Sequence, residues 1–180
     1  WNTCDLTLAA LNSIFRLNDP WVEVLVIDNA STDNTAVKVR RYFPEAVLMI
    51  NKDNLGYAAA NNIGMRLAKG DYFLLLNSDA ELVSPKTFDS LSELFSKQPE
   101  IGAVGAKLVL PSGRVQTIGR TFLSLKRVIK EQLFFAAVNR NETVVRRGAV
   151  DVDYIDGAFL AVRRQVVEQL GGLAERFFMF

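Results

Sequence analysis

Three short apolar runs in this chain are each followed by aspartate or asparagine. The run 23–27 (EVLVI) leads into Asp28 and Asn29, the run 46–50 (AVLMI) into Asn51 and then Asn54, and the run 72–76 (YFLLL) into Asn77, Ser78 and Asp79. Carboxylate and amide oxygens are the hard ligands that suit Mg²⁺ and Mn²⁺, and Mg²⁺ commonly takes one or two carboxylates together with substrate phosphates. A single aspartate held at the end of a buried strand can therefore anchor a metal–diphosphate complex. Asp79, which follows the most apolar run, is the candidate. Asn77 lies two residues earlier in an extended segment, so its amide points the same way. Taken singly, each of these residues is an ordinary strand terminator or helix cap. Three delivered together point to a binding edge.

Composition narrows the chemistry further. The 180 residues include no histidine, which excludes Ser-His-Asp and Cys-His catalysis and every His-ligated zinc site within them. Acid–base or metal chemistry must fall to carboxylates. The one cysteine, Cys4, has no internal partner and suits a reducing compartment, where it reads as a small apolar filler of the first helix. A net charge of +1 provides no field for nucleic acid. With 49% hydrophobic and 23% charged residues the chain has the make-up of a globular domain. Its longest apolar stretches fall far short of the ~20 residues a membrane-spanning helix requires.

The elements that must position these residues alternate. Helical spacing runs over 5–17, 35–43, 57–69 and from Ser84-Pro85 to about Lys97, with Gly70 just past the third helix. Strands are expected at 23–27, 46–50 and 72–76, between these helices. Alternation with continuous apolar strands implies a mostly parallel central sheet covered on both faces, and in such sheets ligands bind outside the carboxyl ends of the strands. Beyond Ile101 a smaller mixed β part is expected. It comprises a strand at 103–110, a Pro111-Ser112-Gly113 turn with a return arm at 114–118, strands at 150–155 and 158–162, and a short helix at 165–170 stopped by Gly171-Gly172. One α/β domain over 1–180 is the simplest account, in two parts over about 1–100 and about 101–180.

Five strings occur in order: VIDNASTDNT, NKDNLGYAAANNIG, GDYFLLLNSDAEL, VGAKLVLPSGRVQ and DGAFLAVRR. Together they resemble the inverting family-2 glycosyltransferases of the GT-A fold, and their rhamnosyltransferase-like branch in particular. The resemblance implies that Asp28 contacts the base or ribose of a nucleotide donor. It implies that Asn54, Gly56 and Asn62 shape the donor pocket, Gly56 by permitting close backbone approach. Asn61 stands in that wall where many relatives have arginine. Asn77-Ser78-Asp79 then corresponds to the Asp-x-Asp-type motif with asparagine first, Asp79 holding Mg²⁺ or Mn²⁺. Asp156, Gly157 and Ala158 correspond to the acceptor side. The partners so implied are a nucleotide diphosphate sugar, with a lean towards a deoxythymidine-diphospho-rhamnose type of donor, and a glycan or lipid-linked acceptor. The work would be polysaccharide or cell-wall synthesis, in the cytoplasm or at the inner face of its membrane.

The resemblance also implies that the chain is cut at both ends. Relatives have a strand before the position of Trp1, and an acidic pair containing the catalytic base just after that of Phe180. The residues themselves leave alternatives. One is a donor pocket without turnover; another is a different nucleotide-binding α/β class, against which stands the lack of both G-x-G-x-x-G and a Walker A string. The stretch 122–138 mixes apolar residues with Lys126, Arg127 and Lys130, which suits a helix lying on a membrane surface. Its apolar residues form no single stripe, which favours a core or lid helix. Arg146 and Arg147 read as a solvated loop.

Overall fold

The computed structural model describes residues 1–116 and 150–178 and the backbone of 119–120. The chain divides into two compact units, Trp1–Ala103 with Gly157–Phe180, and Val104–Asp156. In the first unit come α1 (Cys4–Phe15), β1 (Leu25–Asp28), α2 (Thr35–Tyr42), β2 (Val47–Ile50), α3 (Gly56–Leu67), β3 (Tyr72–Leu76) and α4 (Thr87–Lys97). The strand β4 (Ala103–Gly105) leads out of it. The second unit holds two small antiparallel pairs, β5 (Leu108–Val109) with β6 (Val115–Gln116) and β7 (Gly119–Arg120) with β8 (Tyr154–Ile155). The chain returns through β9 (Phe159–Arg163) and α5 (Arg164–Leu170), which ends on Gly171 in the left-handed conformation.

β1 and β2 pair in parallel, Leu25 with Val47 through Asp28 with Ile50. β3 pairs antiparallel with β9, Tyr72 with Arg163 through Leu76 with Phe159. Among the described residues β1 and β3 are not paired with each other, and a cavity of about 830 Å³ lies between them, bordered by Val24 to Asn29 and by Asp71 to Ser78. Their direction is nevertheless common. The Glu23 carboxylate accepts the Lys69 and Gly70 N–H groups where both strands begin. Beyond their ends, Asn2 bonds Ser31 and Thr32 while Thr3 bonds Ser78.

Helical spacing creates the packing on both faces. Leu11 of α1 meets Val39 of α2 and Phe43 just past it, and Val24 and Val26 pack against this cluster. Ile27, on the opposite face of β1, touches Gly64 of α3. Met65 of α3 joins Phe73, Leu75 and Val162. Two arginines lock the ends of helices to the second sheet. Arg163 donates to the carbonyls of Phe95, Gln98 and Ile101 and lies over the rings of Tyr72 and Phe95, while Arg164 donates to Ala68 and Gly70.

Several expected boundaries shift. The fourth helix starts at Thr87, because Ser84 caps a tight turn through Lys86 N–H instead of opening the helix. Ala68 is already extended, so Gly70 lies two residues beyond the helix end. The strand expected over 103–110 is two strands, and the one over 150–155 shortens to Tyr154–Ile155. The stretch 122–138 and the pair Arg146-Arg147 lie outside the described residues.

Phe95 is 1% exposed and stacks on Tyr72 at 4.7 Å. Phe95→Ala is expected to cost about 3–5 kcal/mol in a urea unfolding titration, through lost burial and the cavity left behind.

Candidate functional site

Asp28 ends β1 with its side chain inside the unit, 3% exposed. Ser31 bonds its Oδ1 through both the backbone N–H (3.3 Å) and the hydroxyl. Ala30, between them, adopts φ +61°, a left-handed conformation that costs a residue with a Cβ about 1 kcal/mol or more. That tight turn leaves Asp28 Oδ2 buried with no partner among the described residues. A bare carboxylate oxygen out of water is costly unless a donor meets it, so this atom is poised for a ligand's N–H or O–H.

Beside it, the ends of β1 and β2 are tied by amides. Asn51 Nδ2 donates to Asn29 Oδ1 at 2.8 Å, and Asn29 Nδ2 donates to the Gly56 carbonyl at 3.2 Å. The next turn is closed by Asp33, whose Oδ1 accepts the Thr35 N–H at 2.9 Å and the Thr35 hydroxyl, while Oδ2 accepts Cys4 N–H. The Thr35 hydroxyl bond, followed by the backbone bonds, holds the Asp33 carboxyl below its usual 3.8.

α3 and the turn before it carry the four expected donor-wall residues in different ways. Asn54 Oδ1 accepts the Gly56 N–H at 3.0 Å and so starts the helix. Gly56 has φ +80°, and a Cβ there would sit 2.5 Å from the Phe178 carbonyl oxygen. The close approach that needs glycine thus comes from the chain's own C-terminal segment. Asn61 borders the cavity and returns its amide to the Tyr57 carbonyl at 2.9 Å. Asn62 is buried, and its amide holds residues 172–175: Nδ2 donates to Leu173 O and Glu175 Oε1, and Oδ1 accepts Leu173 N–H. Its contribution to a pocket is indirect, through that segment.

After β3, Asn77 N–H donates to the Ala158 carbonyl at 3.1 Å and the Ala80 N–H returns to the Asn77 carbonyl. This turn lifts Asp79 into solvent, with no hydrogen bond or ion pair to a described residue. Among the described residues no group of three acidic or cysteine side chains converges on one point. One open carboxylate without a protein cage fits a cation completed by substrate phosphates. Gly157 and Ala158 flank this turn in the first unit, while Asp156 is the last residue of the second.

Two contributors escaped sequence reasoning. Tyr57 resembled helix filler, and Ser31 gave the only local signal, a hydroxyl three residues after an aspartate. Tyr57 donates its hydroxyl to the Gly157 carbonyl at 2.9 Å, and burial raises its pKa, which keeps the proton in place.

An α/β unit with acidic and amide groups gathered beyond its strand ends has the arrangement in which open α/β sheets bind their ligands. Residues 1–171 match the family Glycosyl transferase family 2, and the chain belongs to it. The O-antigen biosynthesis protein RfbC of Myxococcus xanthus is 32% identical over 164 residues, 88% of this chain and 12% of that protein. The N-acetylglucosaminyl-diphospho-decaprenol L-rhamnosyltransferase of Mycobacterium tuberculosis is 30% identical over 177 residues, 88% of this chain and 57% of that protein. The chain therefore spans little more than half of one relative and an eighth of the other. Among solved structures, the mannosyltransferase PcManGT from Pyrobaculum calidifontis, in complex with GDP-Man and Mn²⁺, superposes with a TM-score of 0.67 at 22% identity, over 97% of this chain and 45% of that one. S. aureus TarS 1-349 with UDP gives 0.66 at 16% identity, over 99% and 49%. These likenesses establish the GT-A-type fold expected from the sequence.

Two measurements probe this edge. Asp33 has a lowered folded pKa, so its contribution is complete above 3.8 and disappears as the pH falls through the folded value. Asp33→Asn is expected to flatten the acid limb of a plot of melting temperature against pH. Gly56→Ala should cost about 1–3 kcal/mol by strain, and speed amide exchange at Tyr57, whose N–H bonds Phe178 O.

Proposed function

We propose that this chain is the donor-binding part of an enzyme that transfers a sugar, with inversion, from a nucleotide diphosphate sugar to a hydroxyl of a glycan or lipid-linked acceptor. The observation that carries the reading is Asp28 Oδ2, buried with no partner among the described residues, in a cavity that Asn77 and Ser78 also border. Asp28 would accept hydrogen bonds from the donor's base or ribose. Asn54, Gly56, Asn61 and Asn62 would build the wall beside it, the last by fixing residues 172–175. Asp79, with Asn77, would hold Mg²⁺ or Mn²⁺, which when bound neutralises charge on the leaving nucleoside diphosphate. Asp156, Gly157 and Ala158 would face the acceptor. In this reading a carboxylate takes the acceptor hydroxyl's proton. The relatives' names, which speak of O-antigen synthesis and of rhamnosyl transfer to a lipid diphosphate, favour an envelope polysaccharide and work at the inner face of the membrane. No helix among the described residues is long and apolar enough to cross a membrane.

Calorimetric titration with UDP, GDP and dTDP, with and without Mn²⁺, tests the metal role. Asp79→Ala is expected to abolish the Mn²⁺-dependent gain in affinity while leaving metal-free binding in place. Asp28→Ala should weaken both. Mn²⁺ dependence that survives Asp79→Ala unchanged would show the metal assignment to be wrong.

A further inference from the structure

The Gly157-Ala158 peptide is held from two sides. Its Gly157 carbonyl accepts the Tyr57 hydroxyl at 2.9 Å, and its Ala158 carbonyl accepts the Asn77 N–H at 3.1 Å. Asn77 in turn closes the turn over Ser78 and Asp79 by accepting the Ala80 N–H. A continuous path of hydrogen bonds thus runs from the first turn of α3 to the turn that presents Asp79. The fit at its start is tight. A Cβ on Gly157 would lie 2.9 Å from the Tyr57 oxygen and 3.1 Å from the ring carbon that bears it. Tyr57 is itself fixed by two backbone bonds. Its N–H donates to Phe178 O, and its carbonyl accepts the Asn61 amide at 2.9 Å.

Tyr57 borders the same cavity as Asp28, Asn29, Asn61, Asn77 and Ser78. Its ring is rigid and its hydroxyl is the one polar group it offers, so the bond to Gly157 sets a distance between α3 and the loop before β9. Asp79 has no bond of its own to a described residue, so its height above the strand end is inherited from its neighbours, Asn77 held by the Ala158 carbonyl and Ser78 held by Thr3. We infer that Tyr57 is a positioning residue: through Gly157-Ala158 and Asn77 it sets where the Asp79 carboxylate meets the metal–diphosphate of the donor. The inference rests on the donor reading above and adds a residue to that site.

The test separates positioning from general stability. Tyr57→Phe keeps the ring and removes the bond, so its melting temperature should stay within a few degrees of the parent. Its Mn²⁺-dependent affinity for UDP, GDP or dTDP should fall about two- to tenfold, the worth of one hydrogen bond, while metal-free affinity stays unchanged. Gly157→Ala should give the same signature by forcing the hydroxyl and the loop apart. Because both substitutions break one link, the double variant should lose far less than the product of the single losses. Equal losses with and without Mn²⁺, multiplicative losses in the double variant, or no loss in Tyr57→Phe while Asp79→Ala abolishes the metal effect would each overturn the inference. Mn²⁺ dependence that survives Asp79→Ala is a different result: it removes the metal assignment at Asp79, and this inference falls with it.

Discussion

The common level at which β1 and β3 end is the constraint on which the rest of the site depends. Asp28 belongs to one strand and the Asn77–Asp79 turn to the other, and no ladder of hydrogen bonds joins the two among the described residues. Their alignment comes from side chains instead. Glu23 bridges their starts by taking two N–H groups after α3, and Asn2 and Thr3 bridge their ends through Ser31, Thr32 and Ser78. Unpaired strand edges expose backbone groups that must find partners elsewhere, so such ties are structurally costly to lose. A shift of one residue along either strand would turn every side chain to the opposite face. Asp28 would then turn away from the cavity that Asn77 and Ser78 also border.

Within that frame the edge divides its polar groups by duty. Asn29, Asn51, Asn54, Asn61 and Asn62 have their amides engaged with each other or with the backbone. They hold loops in place and leave little for a ligand. Asp28 and Asp79 are two carboxylates with an acceptor unmet by any described residue, one because burial and the Ser31 turn leave an oxygen bare, the other because its turn points it into water. A preorganised binding edge has this economy: most polar groups are satisfied internally and rigid, and a few remain open to the substrate.

Much of the fold could be read along the chain, because helix spacing, apolar strands and turn residues are local signals. The first three helices and the first three strands fell within a few residues of their expected bounds. Expectation failed where a local signal had two uses. Ser84-Pro85 has the chemistry of a helix start and serves a preceding turn. The run 103–110 is apolar enough for one strand and is broken into two. Gly56 was legible as a place of close approach, yet the partner that approaches is Phe178, far away in sequence.

By itself the sequence determined the class of the protein, the alternation of its elements and the chemistry available to it. Without histidine and with Asp and Asn after three apolar strands, acidic and amide groups had to do whatever is done there. Tertiary structure alone decided which of those groups are free. The bonds that make the decision join residues about a hundred positions apart, Tyr57 to Gly157 and Asn62 to Leu173. No local pattern encodes them, because a side chain's partner is set by which segments the packed core brings within 3 Å, and that distance exists only once the chain has folded.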